Sequence, residues 1–190
     1  MDMPVTFGNH KLPSSTMIMN MGSATNCPAR KLGLCKVCKK CYALKAERLW
    51  PNVKPYRNRQ AHQWSASKAE TIAESLTDQI SRKRNPVKAF RFSESGDFRS
   101  QKDVDKMTTV CKILKSQGVK CYGYTARSDL KFKELMKVAS VQGSGFMLTN
   151  EFTATPKDKI DHSKPVCKGD CSICNMCVTG KGLKIQVIEH

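Results

Sequence analysis

The residues of this chain best suited to chemistry are its cysteines, ten in 190 positions. Eight of the ten fall into two dense groups. Cys27, Cys35, Cys38 and Cys41 follow C-x7-C-x2-C-x2-C, and Cys167, Cys171, Cys174 and Cys177 follow C-x3-C-x2-C-x2-C. Gaps of two residues let neighbouring thiolates face one metal centre from a single loop. Zinc and cluster iron both want such ligands, usually four of them. Burial as small apolar residues does not explain why these cysteines gather in segments rich in Lys and Gly. Zinc ribbons usually pair two CxxC units across a longer gap, whereas three cysteines in consecutive x2 steps look like ferredoxin-type runs. The spacing favours one or two [4Fe–4S] clusters, with zinc as the alternative. In ferredoxin-type runs one cysteine often serves the other cluster, so an exchange of ligands between the two groups stays open. Cys111 and Cys121 lie in a predicted helix and a predicted strand and read as core residues.

Charge is the second chemical feature. The chain carries 33 Lys+Arg against 16 Asp+Glu, a formal +17. Such a field attracts polyanions, so nucleic acid is the first partner to weigh, against a merely solubilising surface. Bound thiolates would cancel part of that charge. Tyr56, Arg57, Arg59, His62 and Trp64 mix basic and aromatic residues as single-strand binders do, but that pattern at helical spacing is more often packing. Arg82, Lys83 and Arg84 suit a helix C-terminus. His62 and His190 stand alone and are weak ligand candidates.

The elements that must hold these residues can be read from periodicity. At 190 residues with 39% apolar and 7% aromatic content, the chain predicts a single domain, 1–190, whose core is modest and could gain stability from metal. The cysteine-rich segments are 27–41 and 167–177. Met17 to Met21 reads as a short strand and Tyr42 to Trp50 as a helix stopped by Pro51. A long helix is expected from about Arg57 to Arg84. The middle, 87–150, reads as a βαβαβ core. Its expected elements are strand Val87–Ser93, helix Gln101–Ser116, strand Val119–Thr125, helix Leu130–Ser140 and strand Gly145–Thr149. A last strand spans Leu183–Ile188. The fold class is α/β, with parallel-strand βα repeats between a cysteine-rich N-terminal loop and C-terminal tail.

In parallel sheets, ligands collect where strands end at their carboxyl side. The three predicted strands deliver Ser93, Glu94 and Asp97, then Tyr124, Thr125 and Arg127, then Asn150 and Glu151. Glu94, Asp97 and Arg127 are the candidate catalytic residues, and Ser93, Glu94, Tyr124 and Asn150 the candidate cofactor contacts. The plainer alternative has Asp97 and Ser95 capping the next turn and Arg127 pairing with a carboxylate. Met1 to Lys11 resembles neither a secretory signal nor a presequence, and no apolar run approaches membrane-spanning length. A cytoplasmic chain with reduced thiols is expected.

Beyond these patterns, the chain resembles the phage gene product eighty-eight family. The likeness rests on Cys27-Pro28, Cys41-Tyr42-Ala43-Leu44-Lys45, Pro51-Asn52-Val53 with Tyr56, Arg57 and Asn58, then Gly96-Asp97-Phe98, Tyr122-Gly123-Tyr124-Thr125, and Cys171, Cys174 and Cys177 before a strand near His190. Cys35 and Cys38 stand where one cysteine is expected. The resemblance implies a virus-encoded protein of the bacterial host cytoplasm. A looser similarity ties Ser93-Glu94-Ser95-Gly96-Asp97 to the second strand end of radical S-adenosylmethionine enzymes, and implies a partial βα barrel with S-adenosylmethionine as a candidate cofactor. Their C-x3-C-x2-C is missing from the N-terminal loop and occurs at Cys167, Cys171 and Cys174 instead. Two functions are expected to compete. One is an iron–sulfur protein in electron transfer, with a redox partner protein, or in cluster-dependent catalysis. The other is a nucleic-acid-binding module with a structural metal.

Overall fold

The computed structural model describes residues 2–189. A short hairpin opens the chain, β1 (Thr6–Phe7) and β2 (Thr16–Met19). The first cysteine segment then carries the short helix α1 (Pro28–Lys31). It leads into α2 (Tyr42–Leu49), α3 (Val53–Ala66) and α4 (Ala69–Ser81). Strand and helix next alternate through β3 (Ala89–Phe92), α5 (Gln101–Ser116), β4 (Lys120–Thr125), α6 (Lys133–Met136) and β5 (Ala139–Ser144). β6 (Asn150–Thr155) follows, and the tail holds α7 (Met176–Thr179) and β7 (Lys184–Ile188).

All seven strands join one mixed sheet in chain order, β1 to β7, and the sheet is not closed. Only the β1–β2 pair is antiparallel; every later pairing is parallel. Parallel sheets need cover on both faces. Here the two faces are chemically different. Met17, Met19, Phe90, Phe92, Cys121 and Val141 alternate onto one face, where Trp64 of α3, Leu76 of α4 and Met107 and Leu114 of α5 pack on them. Phe92, Phe98 and Phe132 continue this core as an aromatic chain, at centroid spacings of 6.0 and 5.7 Å. Cys111 and Cys121 lie buried inside it, as expected. The opposite face presents Arg91, Tyr122, Tyr124, Ser140, Gln142 and Asn150. The helix over that face is the short α7, which with the cysteine tail lies over β4 and β5.

Three sequence expectations are corrected. The helix expected over 57–84 is broken at Ser67, whose backbone turns extended. The Lys106 amine donates to the carbonyls of Trp64 and Ser67, capturing acceptors that a continuous helix would have used. The helix expected over 130–140 shrinks to α6, because Ala139–Ser144 forms a strand. That strand is mostly small and polar in sequence, with Val141 its one β-branched residue, so its strand signature is weak. Its smallness is what the packing uses: a Cβ at Gly143 would lie 2.2 Å from the Phe146 carbonyl. Residues 145–149, expected as a strand, are the turn between β5 and β6. It is held by the Thr149 amide on the Val141 carbonyl, at 3.0 Å.

Where β2 and β3 end, the Met21 amide donates to the Ser95 carbonyl at 2.9 Å. Gly96 has φ +74, and a Cβ there would meet Gly22 backbone atoms at 2.6 and 2.8 Å. Gly96→Ala should cost at least ~2 kcal/mol, since the left-handed backbone alone costs an L-residue ~1–2 kcal/mol. The expected readout is a lower urea midpoint with an unchanged slope.

Candidate metal centre

The N-terminal cysteines sit in the segment that leaves the carboxyl end of β2. Ser23 caps a 3-10 turn, Ala24–Asn26, and Cys27 follows directly. One buried ion pair holds this turn. Glu47 of α2 accepts from the Ala24 amide at 2.6 Å, the Thr25 amide at 3.1 Å and the Thr25 hydroxyl at 2.8 Å. Arg57 of α3 pairs with the same carboxylate at 2.9 Å and donates to the Ala43 carbonyl at 2.8 Å. Their side chains are only 7% and 2% exposed for Arg57 and Glu47. Burial pushes the Cys27 thiol up to about 11. Burial and the neighbouring Cys35 push Cys38 up to about 12, with Cys27 and Cys41 adding to the repulsion. Cys38 therefore feels the other three members of its set.

The tail set is more enclosed. Cys167, Cys171, Cys174 and Cys177 all line one cavity of about 650 Å³, whose far wall includes Tyr122 and Tyr124. The backbone of the cysteines themselves ties the tail down. The Cys167 amide donates to the Gln186 carbonyl at 2.7 Å, and the Cys171 amide to the Lys11 carbonyl at 2.9 Å. The Gln142 amide reaches from β5 to the Cys177 carbonyl at 2.8 Å. Burial pushes the Cys177 thiol up to about 11 even though the Tyr124 hydroxyl donates toward it, and Cys167, Cys171 and Cys174 repel it further. Burial likewise raises Cys171, against the pull of Arg91. The cysteines that act on Cys27 and Cys38 belong to the N-terminal set, and those that act on Cys171 and Cys177 belong to the tail set.

Among the described residues, no three Cys, His, Asp or Glu side chains already meet at a single metal-binding point. Free thiols repel as they ionise, and one χ1 rotation per cysteine is the freedom left to bring them together. The donor chemistry still suits a metal: all eight thiols are unpaired, partly exposed and grouped in fours. A bound cation favours the thiolate form of such ligands.

The strand ends do not form the single site expected of them. Asp97 is buried and accepts from Thr125 at 2.7 Å, the Ala126 amide at 2.8 Å and the Phe98 amide at 2.8 Å. Burial lifts its carboxyl to about 6, and these donors limit the rise. Arg127 pairs with Asp129 at 2.7 Å and also donates to the Phe98 carbonyl. Both residues thus brace the β3–β4 junction. Glu94 lies apart from them, 3.4 Å from Arg91 and bonded to Asn9 at 2.9 Å. Tyr124, one residue from the carboxyl end of β4, faces the tail. Asn150 was expected at the carboxyl end of a strand, but it begins β6 because residues 145–149 form the turn. It bonds Gln142 at 2.9 Å, the Gly180 carbonyl at 3.0 Å and the Leu183 amide at 3.0 Å, which makes it a clamp for the tail. Ser93 has φ +56, and its buried hydroxyl finds no partner. Ser95 Oγ and Asn20 Oδ1 nearby are equally orphaned. His62 is an exposed residue of α3, and His190 lies outside the described residues.

Sequence reasoning missed Arg91, Glu47 and Asn20. The signal for Arg91 was present in Ala89-Phe90-Arg91-Phe92: a cation inside an apolar strand of a parallel sheet has to find an anion on the opposite face.

Glu47 supplies a pH test. Burial raises its pKa, but the bonds from Ala24, Arg57 and Thr25 outweigh burial and hold it below its ordinary 4.5. The folded value is depressed, so its contribution is complete above pH 4.5 and lost as pH falls through the folded value. Glu47→Gln should flatten that acid-side loss in urea midpoints measured against pH. Glu47→Ala, which strands Arg57, should cost ~3 kcal/mol at neutral pH.

Among the described residues, no helix is long and apolar enough to cross a membrane. No curated protein and no solved structure matches the chain. The family model described as Gene product 88 matches residues 5–143. That span holds the N-terminal cysteines and the strands from β1 to β4 with most of β5, and stops short of the tail cysteines. With most of its length matched, the chain belongs to the gene product 88 family of phage proteins.

Proposed function

We propose that this protein is an iron–sulfur protein, with the tail cysteines as ligands of a [4Fe–4S] cluster and the N-terminal cysteines as a second metal site. The observation that carries this reading is the cavity of about 650 Å³ lined by all four tail cysteines. When bound, such a cluster supplies one-electron transfer, and an iron with fewer protein ligands supplies a binding position for a small molecule. The chain's own residues support electron transfer first. Tyr122 and Tyr124 of β4 form the sheet side of the cavity, Gln142 and Asn150 fix the tail, and Arg91 brings positive charge to the same face.

A catalytic form of this reading uses the rim at the ends of β2 and β3. Asn20, Ser93 and Ser95 hold buried polar atoms with no partner, and Glu94 lies on the same loop. Unpaired buried polar atoms are costly, and a polar ligand would satisfy them. S-adenosylmethionine is the ligand that the looser family resemblance suggests there. In this form Asp97 and Arg127 keep the rim in shape and do not touch substrate.

A second reading draws on the net charge of +17. In it the metal is structural and the basic surface binds nucleic acid, with affinity falling steeply as salt rises.

Anaerobically purified protein should contain iron and acid-labile sulfide at about four or eight atoms each per chain, with broad absorbance near ~400 nm that dithionite bleaches. Cys171→Ser and Cys177→Ser should each remove about four irons from an eight-iron protein, or all of them from a four-iron one. Colourless protein with stoichiometric zinc and no sulfide sinks the redox reading and leaves the nucleic-acid one.

A further inference from the structure

Arg91 is the most unusual charge in the molecule. It lies in β3 between Phe90 and Phe92, on the face that the cysteine tail covers, and its side chain is 14% exposed. Its partners are poor. Glu94 is 3.4 Å away, longer than a good charged hydrogen bond, and the Tyr42 hydroxyl is 3.5 Å away. Its Nε has no partner at all. The guanidinium sits 5.1 Å from the centre of the Tyr124 ring. Burying a cation with one loose carboxylate is unfavourable unless further negative charge lies close by.

The surroundings show where that charge would come from. Glu94 approaches from the β3 loop, Tyr42 from α2, and Tyr122 and Tyr124 from β4. From the tail comes Cys171, one wall of the cavity lined by the four tail thiols. Tyr124 has Arg91 on its ring face and Cys177 at its hydroxyl.

We propose that Arg91 is the positioning charge for the tail centre: its guanidinium stabilises the reduced state of a cluster on Cys167, Cys171, Cys174 and Cys177 and sets its reduction potential. This rests on the iron–sulfur reading of the tail set. The step is the addition of one electron from an external low-potential donor. No bond forms or breaks and no proton need move. The centre gains one negative charge, and Arg91 is the nearby positive charge not fully matched by its own carboxylate. Net charge and hydrogen bonding at the sulfurs are the levers by which proteins tune such potentials.

The experiment is a mediated dithionite titration followed by electron paramagnetic resonance, on wild type, Arg91→Gln, Arg91→Lys and Glu94→Gln. Iron and sulfide are measured on every sample. The signal lost in Cys171→Ser identifies the tail centre. Arg91→Gln should keep its iron and make the reduction equilibrium constant about tenfold smaller, a downward shift of ~59 mV for one electron. Arg91→Lys keeps the charge but shortens its reach, and should shift the potential less in the same direction. Glu94→Gln removes the competing carboxylate and should raise the potential. If the Arg91 variants lose iron, the Glu94→Gln measurement decides. An unchanged potential in every variant that retains the centre overturns the role of Arg91 and leaves the iron–sulfur reading standing. Wild-type protein without iron and sulfide overturns both.

Discussion

The structure depends on one constraint: a parallel sheet must be covered on both faces, and the long helices α3, α4 and α5 pack on the same one. Its helical face is conventional, with Phe90, Phe92, Met107, Leu114 and Val141 fully buried in one apolar layer. The other face is polar, and its cover is a tail with little apolar content. Ile173 in that tail is 72% exposed, and the tail's one helix, α7, is four residues long. Such a segment cannot hold itself down by burial. What holds it is a set of bonds at the cysteine backbones, donated to the carbonyls of Gln186 and Lys11 and accepted from the Gln142 side chain, with Asn150 clamping the turn beyond. The cavity left beneath is lined by thiols. Metal binding at that point would do for the polar face what the aromatic chain of Phe92, Phe98 and Phe132 does for the apolar one.

The same logic runs through the N-terminal segment. Residues 27–41 contain little that could form a core of their own, and Leu32 near their middle is exposed. The segment is fixed at its ends. Glu47 and Arg57 form a buried ion pair that collects the orphan amides of Ala24 and Thr25. Between its fixed ends the segment carries the four thiols on and beside short helical turns. Both cysteine sets are thus short, polar and anchored by hydrogen bonds at their margins. The two differ in setting: the tail set closes over the sheet, whereas the N-terminal set projects from the carboxyl end of β2.

Much of this was legible from residue order alone. The α/β class, the helix Gln101–Ser116, the strands around Phe90 and Tyr122, and the final strand followed from period and punctuation, because those elements bury one face or end at a clear stop. The two clusters of four cysteines were visible in the spacing. The errors came where tertiary contacts overrode local preference. Ala139–Ser144 is a strand by its parallel pairing with β4 and β6, with Gly143 packed against the Phe146 turn, although Val141 is its one strong strand former in sequence. The break at Ser67 exists because Lys106, distant in sequence, takes the carbonyls the helix would need. Asn150 moved from a strand end to a strand start as a consequence of that same turn.

By itself, the sequence determined the chemistry available: eight clustered thiols, an excess of cations, and alternating strand and helix. These follow from residue type and local spacing, which do not depend on long-range folding. Only the tertiary structure decided which charges meet. It placed Asp97 and Arg127 in structural hydrogen bonds, separated Glu94 from both, and brought Arg91 against Tyr124 beneath the tail. Those outcomes turn on register across the sheet and on which face each strand residue takes. Both are set by contacts among residues far apart in sequence, and no local pattern carries that information.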